Sequence, residues 1–273
     1  MYLLDLNKKQ QSTYDTIEST LRNIDSGINR LTGSLELKFD DGTLEAIQPM
    51  IGVVTRLAVF IILATWLLHL LDSVLKKGCM PEWKDWLGYL GKLCVAFWLM
   101  GSMQKICLIF IDLSNNFMFA LNASTSSLTI GESFLNLKEV AKALEDMKTW
   151  DLTWLRVSLV ITGIIIDVTI GIMKMIAEFR MMSIAMFLVF SPLAASCAVT
   201  GIGHVGKFFR GFIATCLQGG YIVACFKLYG IFVSKEVYLD GIDGAFWMIV
   251  LYSVGVLVMV FGGKGWLEKY ILP

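Results

Sequence analysis

The chain has 273 residues, of which 56% are hydrophobic and 17% are charged, and its formal net charge at pH 7 is zero. Soluble domains are usually about 45–50% apolar and about 25% charged, so this composition argues against an ordinary soluble domain. The balanced charge gives no indication of a nucleic-acid-binding surface.

Residues 1–49 are polar and differ in kind from the rest of the chain. Their apolar side chains recur at spacings of three and four residues, which predicts one narrow apolar stripe on a helix. The stripe consists of Tyr14, Ile17, Leu21, Ile24, Ile28, Leu31 and Leu35. Two interpretations remain open: the helix packs on a partner or on its copy in an oligomer, or it lies on the membrane or on its own domain.

Residues 50–111 contain the first two long apolar blocks, which are Met50–Leu71 and Leu93–Ile111. Pro49 precedes the first block, and proline suits the first position of a helix because its missing N–H would have no partner there. The second block is interrupted by Lys105. Both blocks are predicted to be membrane-spanning helices.

Residues 112–153 form a polar central region that opens with a long uncharged stretch rich in Asn, Ser and Thr. This composition predicts a loop outside the hydrocarbon. Asn136 and Glu139 make a capping pair. They predict the start of a short amphipathic helix over Leu137–Lys148.

Residues 154–273 contain four further apolar blocks, Val157–Met173, Met181–Gly206, Gly211–Ser234 and Gly244–Gly263. A helix needs about 20 residues to cross roughly 30 Å of hydrocarbon. The blocks are apolar on all sides and lack the period of two that barrel strands show. The sequence therefore predicts an all-α, polytopic transmembrane helical bundle of about six spanning helices, with an amphipathic N-terminal helix.

The run Ile172–Met182 separates the third and fourth blocks and contains three charged residues, Lys174, Glu178 and Arg180. Lys174 and Glu178 are four residues apart, so they can pair on one helix face. The run is predicted to mark the membrane surface between two spans.

Three charges fall inside predicted spans: Lys105, Asp167 and Lys227. A charge at the centre of a spanning helix costs about 2.5–3.5 kcal/mol on insertion scales. Such groups are therefore kept inside a bundle or against water, and usually paired. We expect either that Asp167 pairs with one of the two lysines as a structural ion pair, or that the three residues line a hydrated path.

The sequence offers little material for catalysis or for a cofactor. The six cysteines form no CxxC pair, and the only histidines, His69 and His204, are far apart. Gly201, Gly203 and Gly206 match GxGxxG, but a nucleotide fingerprint needs a preceding strand and an acid about 20 residues later. We therefore expect no enzymatic activity, no cofactor and no metal site.

The stretch over residues 177–233 has a distinctive order of features. A charged segment leads into an apolar helix that ends in FSPLA, where proline breaks or bends the helix. A glycine-containing loop, the basic-aromatic segment KFFRGF and a helix with LQGG follow. This order resembles the TrbL-like channel subunits of type IV secretion systems, particularly those of Gram-positive conjugative elements. Its helix-break turn consists of Ser191, Pro192, Leu193 and Ala194.

The resemblance implies a multi-pass protein of the bacterial cell membrane that acts in conjugative transfer. It implies a homo-oligomer at the base of the translocation path, in contact with lipid, with other membrane subunits and with the ATPases that power transfer. The translocated substrate would be DNA or protein, without stable nucleic-acid binding, and the family supplies no catalytic residue. The alternative function is a secondary transporter or an ion channel.

Overall fold

The computed structural model of the chain describes residues 8–37, 39, 41–77, 82–124, 144, 148–199, 202–236 and 241–271. No β-strand occurs within these ranges. The helices are α1 (Lys8–Ser34), α2 (Asp41–Lys77), α3 (Trp83–Ser124), α4 (Thr149–Ser196), α5 (Ile202–Glu236) and α6 (Gly241–Trp266). A short 3-10 helix, Cys197–Val199, follows α4, and a π-helix, Leu267–Ile271, follows α6.

Five of the helices within the described ranges are long and apolar enough to cross a membrane. The candidate spans are Gly42–Lys76, Trp83–Ala123, Trp150–Val199, Gly203–Tyr229 and Val250–Lys269. Helices satisfy their own backbone hydrogen bonds, as lipid requires. The prediction of an all-α, multi-pass membrane bundle is confirmed.

The number of spans differs from the prediction, because the third and fourth blocks form one helix. α4 runs without a break through the charged run Ile172–Met182 and contains 48 residues. Lys, Glu, Arg and Met are good helix formers, and the run contains neither proline nor glycine. The charges therefore do not end the helix, and the described residues contain five candidate spans where the sequence predicts about six.

Two helix boundaries also differ from the expected ones. α2 begins at Asp41, so Pro49 lies inside this helix and not at its start. A proline there removes the helical donor to the carbonyl of Glu45, but both residues are exposed, so water can replace that donor. α3 continues to Ser124, past the expected limit at residue 111.

The short helix predicted over Leu137–Lys148 lies largely outside the described residues. Leu144, which belongs to it, is helical and completely buried. Its carbonyl oxygen accepts a hydrogen bond of 2.9 Å from the side-chain amide of Gln10 on α1. Part of the polar central region is thus held against the N-terminal helix.

The chain divides into two compact units. Unit 1 consists of Met1–Glu36, Phe117–Glu178 and Gln218–Trp266, and unit 2 consists of Leu37–Asn116, Phe179–Leu217 and Leu267–Pro273. α3, α4 and α5 contribute residues to both units.

Unit 1 has a single apolar core to which α1, α3, α4, α5 and α6 contribute. The core includes Tyr14, Ile17, Leu31, Leu35, Met118, Leu155, Leu159, Ile166, Met173, Ile222, Val223, Val256 and Val260. The stripe predicted on α1 therefore lies against the chain's own domain at Ile17, Leu31 and Leu35. The side chains of Leu21, Ile24 and Ile28 lie outside the described residues.

α1 and α4 run parallel to each other in unit 1 and keep one register. Arg156 Nε donates a hydrogen bond of 2.9 Å to the Thr13 hydroxyl. One heptad later, a Cβ added to Gly163 would lie 3.8 Å from Thr20. After another heptad, a Cβ added to Gly27 would lie 2.6 Å from the Ile170 side chain. The residue numbers in each pair differ by 143, so the two helices pack with a heptad repeat.

Unit 2 has two apolar clusters among α2, α3, α4 and α5 and the segment before α2. Leu37 from that segment is buried, and Asn115 of α3 binds both of its backbone groups. The Leu37 N–H donates to Asn115 Oδ1 over 3.1 Å, and Asn115 Nδ2 donates to the Leu37 carbonyl over 3.0 Å. This amide fixes the connection between α1 and α2.

Candidate functional site

A buried arginine joins α4 to α5 inside unit 2. Arg180 is 3% exposed. Its Nε donates to the carbonyl oxygen of Thr215 over 3.0 Å, and its Nη2 donates to the carbonyl oxygen of Cys216 over 2.9 Å. Burying a charge is costly unless hydrogen bonds replace its hydration, and these two carbonyls supply such bonds.

Ser114 of α3 donates its hydroxyl to the same carbonyl oxygen of Cys216. One backbone oxygen of α5 therefore accepts hydrogen bonds from α3 and from α4. We call Ser114, Arg180, Thr215 and Cys216 the arginine node.

Apolar residues surround the node, including Cys107, Ile111, Ile184, Leu188 and Phe212. Hydrogen bonds are stronger in such a low-dielectric surrounding, and an unpaired polar group there is more costly. The node therefore holds three spanning helices in one arrangement. Its hydrogen bonds position these helices relative to one another.

Arg180 is buried although it belongs to the run Ile172–Met182, which the sequence predicts to mark the membrane surface. The buried residues of α4 follow spacings of three and four, as in Met173, Ala177, Arg180, Ile184 and Leu188. Arg180 lies on this buried stripe, whereas Lys174 and Glu178 lie off it and are exposed. The same spacing, read through the charged run in the sequence, could have identified the arginine.

The four residues of the FSPLA turn lie within α4, which continues through Pro192 and ends at Ser196. The expected helix break is therefore located after the turn, at the 3-10 helix Cys197–Val199. Ser191 and Pro192 are buried, while Leu193 and Ala194 are half-buried. A bend at the proline is compatible with a continuous helix.

The serine of this turn compensates for the proline. Pro192 has no N–H, so it cannot donate the helical bond to the carbonyl of Leu188. The hydroxyl of Ser191 donates to that carbonyl over 2.8 Å. The Ser-Pro pair thus lets the helix pass through proline without an unpaired buried carbonyl.

The three charges predicted inside spans lie on three different helices. Lys105 is exposed on α3 in unit 2, Asp167 is exposed on α4 in unit 1, and Lys227 is half-buried on α5 in unit 1. Lys105 and Asp167 point away from the core of their own unit, so packing within the unit does not cover them.

Unit 1 contains a small, partly open cavity among α4, α5 and α6, with room for about one water molecule. Its lining residues are Ile166, Thr169, Ile170, Met173, Phe226, Tyr229, Ser253 and Val256. The hydroxyls of Tyr229 and Ser253 are 3.2 Å apart and form a hydrogen bond. The remaining lining is mostly apolar, so the cavity suits an apolar group better than an ion.

Two glycines allow close packing in unit 1. A Cβ added to Gly220, in the LQGG segment, would lie 2.8 Å from ring carbons of Phe117. A Cβ added to Gly263 would lie 2.5 Å from the Tyr221 ring. Small residues commonly allow such close approach between membrane helices.

The part of the chain that the structure describes contains neither a group of metal ligands nor a disulfide. No group of three or more His, Cys, Asp or Glu residues is placed there to hold a metal ion. The five described cysteines, Cys94, Cys107, Cys197, Cys216 and Cys225, are free thiols. Comparison of the chain with protein-family models, curated proteins and solved structures finds no match.

Proposed function

We propose that the chain is a channel or scaffold subunit of a bacterial type IV secretion apparatus, and that several copies assemble at the base of its translocation path. The observation that carries this proposal is the pair of exposed charges, Lys105 and Asp167, on helices that can cross a membrane. The cell membrane, the other secretion subunits and ATPases, and a DNA or protein substrate belong to the same proposal.

Exposed charges on spanning helices must be shielded from the acyl chains of the lipid. Ile109 is 65% exposed near Lys105, and Val168 is 56% exposed beside Asp167, so each charge adjoins apolar surface. A charge against acyl chains costs about 2.5–3.5 kcal/mol near the bilayer centre. Neighbouring copies, or water enclosed among them, would remove this cost. A homo-oligomer is therefore the assembly that this surface favours.

Most of the arginine node lies in the stretch that carries the resemblance. Arg180, Thr215, Cys216 and Gly220 all fall within residues 177–233, the stretch that resembles TrbL-like subunits. Contacts within unit 2 join the first three of these residues, and Gly220 packs closely on Phe117 in unit 1. The resembling stretch thus contains residues with specific structural roles and is not merely an apolar segment.

A transfer assay tests the proposal. An in-frame deletion of the gene in a conjugative donor should abolish transfer without slowing growth, and a plasmid copy should restore it. The node variant Arg180→Ala should restore transfer poorly, while Met182→Ala, at an exposed apolar position on the same helix, should restore it fully. Normal transfer from the deletion donor would contradict the proposal.

One observation favours the alternative, a secondary transporter or ion channel. The small cavity among α4, α5 and α6 carries the Tyr229–Ser253 hydroxyl pair on its wall. Saturable flux of a small solute into liposomes containing the purified chain would support this function. Loss of that flux in a Tyr229→Phe, Ser253→Ala double variant would assign it to the cavity.

A further inference from the structure

α1 has one face against the core of unit 1 and one polar face that is exposed. The polar face consists of Ser12, Asp15, Ser19, Arg22, Asn23, Ser26 and Arg30. Its opposite face contains buried Tyr14, Ile17 and Leu31. A helix with charges on its free face cannot turn that face to acyl chains.

α4 exposes two different surfaces in unit 1. The first is a polar strip formed by Asp167, Gly171, Lys174 and Glu178, which follow one another at helical spacings and are all exposed. The second is an apolar sector formed by Val157, Ile161, Ile164, Val168 and Met175, whose exposed fractions are 45–59%. An apolar sector of this kind is suited to lipid, and the polar strip is suited to water.

The polar strip of α4 and the polar face of α1 belong to the same side of unit 1. Gly163 of α4 lies against Thr20 of α1, and Asp167 follows Gly163 by about one helical turn. Ile170 lies against Gly27, and Lys174 follows Ile170 by the same step. The strip therefore adjoins α1 along its length.

α6 sets the depth of this surface in the membrane. Its candidate span is Val250–Lys269, and Ser253 and Val256 from that span line one cavity with Ile166 and Met173 of α4. If α6 crosses the membrane with these residues, the same part of α4 lies at hydrocarbon depth. The register of α1 on α4 then places residues 23–30 of α1 at that depth as well.

We propose that the polar face of α1 and the polar strip of α4 line a water-filled space at membrane depth, while the apolar sector of α4 faces lipid. This inference rests on the proposed function, because neighbouring copies must close the space against lipid. It adds to that function by assigning the residues that line the space. Solutes passing along these residues would be hydrophilic, and they would meet the alternating charges of Asp167, Lys174 and Glu178.

Spin labels at matched depth test this inference in the full chain. Ser26→Cys on α1 and Val168→Cys on α4 lie at nearly the same height, because the register joins residue 26 to residue 169. Each cysteine would be introduced into a cysteine-free background, labelled with a nitroxide and reconstituted in phosphatidylcholine–phosphatidylglycerol vesicles. Power saturation would then compare collisions with oxygen, which concentrates in lipid, and with a water-soluble nickel complex.

The label at Val168 should collide mainly with oxygen, and the label at Ser26 mainly with the nickel complex. Nickel collisions at Val168 would place this part of α4 outside the membrane, and oxygen collisions at Ser26 would place α1 against lipid. Either result overturns the inference. Asn23→Cys and Ile164→Cys form a second pair in case one of the first variants fails to fold.

The test separates this inference from the proposed function. Oxygen collisions at Ser26 in a protein that still supports transfer would reject the water-filled space and leave the secretion role intact. Nickel collisions at Ser26 together with normal transfer from the deletion donor would keep the space and reject the secretion role. Gly171→Cys serves as a further strip position and should resemble Ser26.

Discussion

Ser191 donates its hydroxyl proton to the carbonyl oxygen of Leu188, three residues earlier on α4, over 2.8 Å. The next residue, Pro192, is the one that would have donated a backbone N–H to this oxygen in a regular helix. Because Ser191 is completely buried, no water is available to take its place.

The Ser-Pro pair predicts a coupled effect of two substitutions. Ser191→Ala should lower the free energy of unfolding by about 1–2 kcal/mol, because it leaves a buried carbonyl without a donor. In a Pro192→Ala background the new N–H donates to Leu188, so the same substitution should have little effect. Thermal unfolding in detergent would measure the effect of Ser191→Ala in both backgrounds. Ser183→Ala, which removes an exposed hydroxyl on the same helix, is the control. Equal losses in the two backgrounds would contradict this prediction.

The arginine node predicts a large loss of stability on removal of its cation. Arg180→Ala should lower the free energy of unfolding by about 3 kcal/mol, because two charge-assisted hydrogen bonds and the packing of a buried side chain are lost. Lys174→Ala on the same helix is exposed and should change it by less than about 0.5 kcal/mol. Arg180→Lys should recover little, since one ammonium cannot reproduce the fork of a guanidinium. Full recovery by lysine would show that charge alone matters.

The close approach at Gly220 predicts a steric effect that a second substitution relieves. Gly220→Ala should destabilise unit 1 by about 1–3 kcal/mol, because its Cβ would overlap the Phe117 ring. Phe117→Leu should remove most of that loss. Gly255→Ala on α6, where a Cβ meets nothing within 4 Å, should be neutral or slightly stabilising. Thermal unfolding of Gly220→Ala, of the Gly220→Ala, Phe117→Leu double variant and of Gly255→Ala would decide. Equal losses at both glycines would refute the packing explanation.

The two hydrogen bonds between Asn115 and the Leu37 backbone predict a local change in hydrogen exchange. Asn115→Ala removes the acceptor for the Leu37 N–H, so exchange at this amide should become faster while exchange in the middle of α3 stays slow. Asn116→Ala, at the exposed neighbouring position, should leave the Leu37 amide protected. Unchanged protection in Asn115→Ala would mean that burial of Leu37 is enough to slow exchange at its amide without these two hydrogen bonds.

The sequence predicts the existence and type of the helices well, because long apolar blocks have only one stable form in lipid. It predicts the joining of helices poorly. The charges of Lys174, Glu178 and Arg180 indicate a membrane surface by composition, although all three residue types favour helix continuation. Whether such a residue is buried or exposed depends on its position around the helix axis. Arg180 lies on the buried stripe and Lys174 does not.

The candidate site also combines features that the sequence predicts with features that it does not predict. Asp167 and Lys105 are visible in the sequence as charges within apolar blocks, but the direction in which they point is fixed by packing with other helices. The carbonyls of Thr215 and Cys216 carry no sequence signal at all, because every residue has a carbonyl. Their role depends on the approach of Arg180 and Ser114 from two other helices.

The central claim is that outward-facing charges such as Lys105 and Asp167 are covered by further copies of the chain. Native mass spectrometry of the protein released from mild detergent tests this claim directly. One dominant species is expected, at two or more times the 30.5 kDa chain mass. A 30.5 kDa monomer at every protein concentration, from a preparation that remains folded, would contradict it.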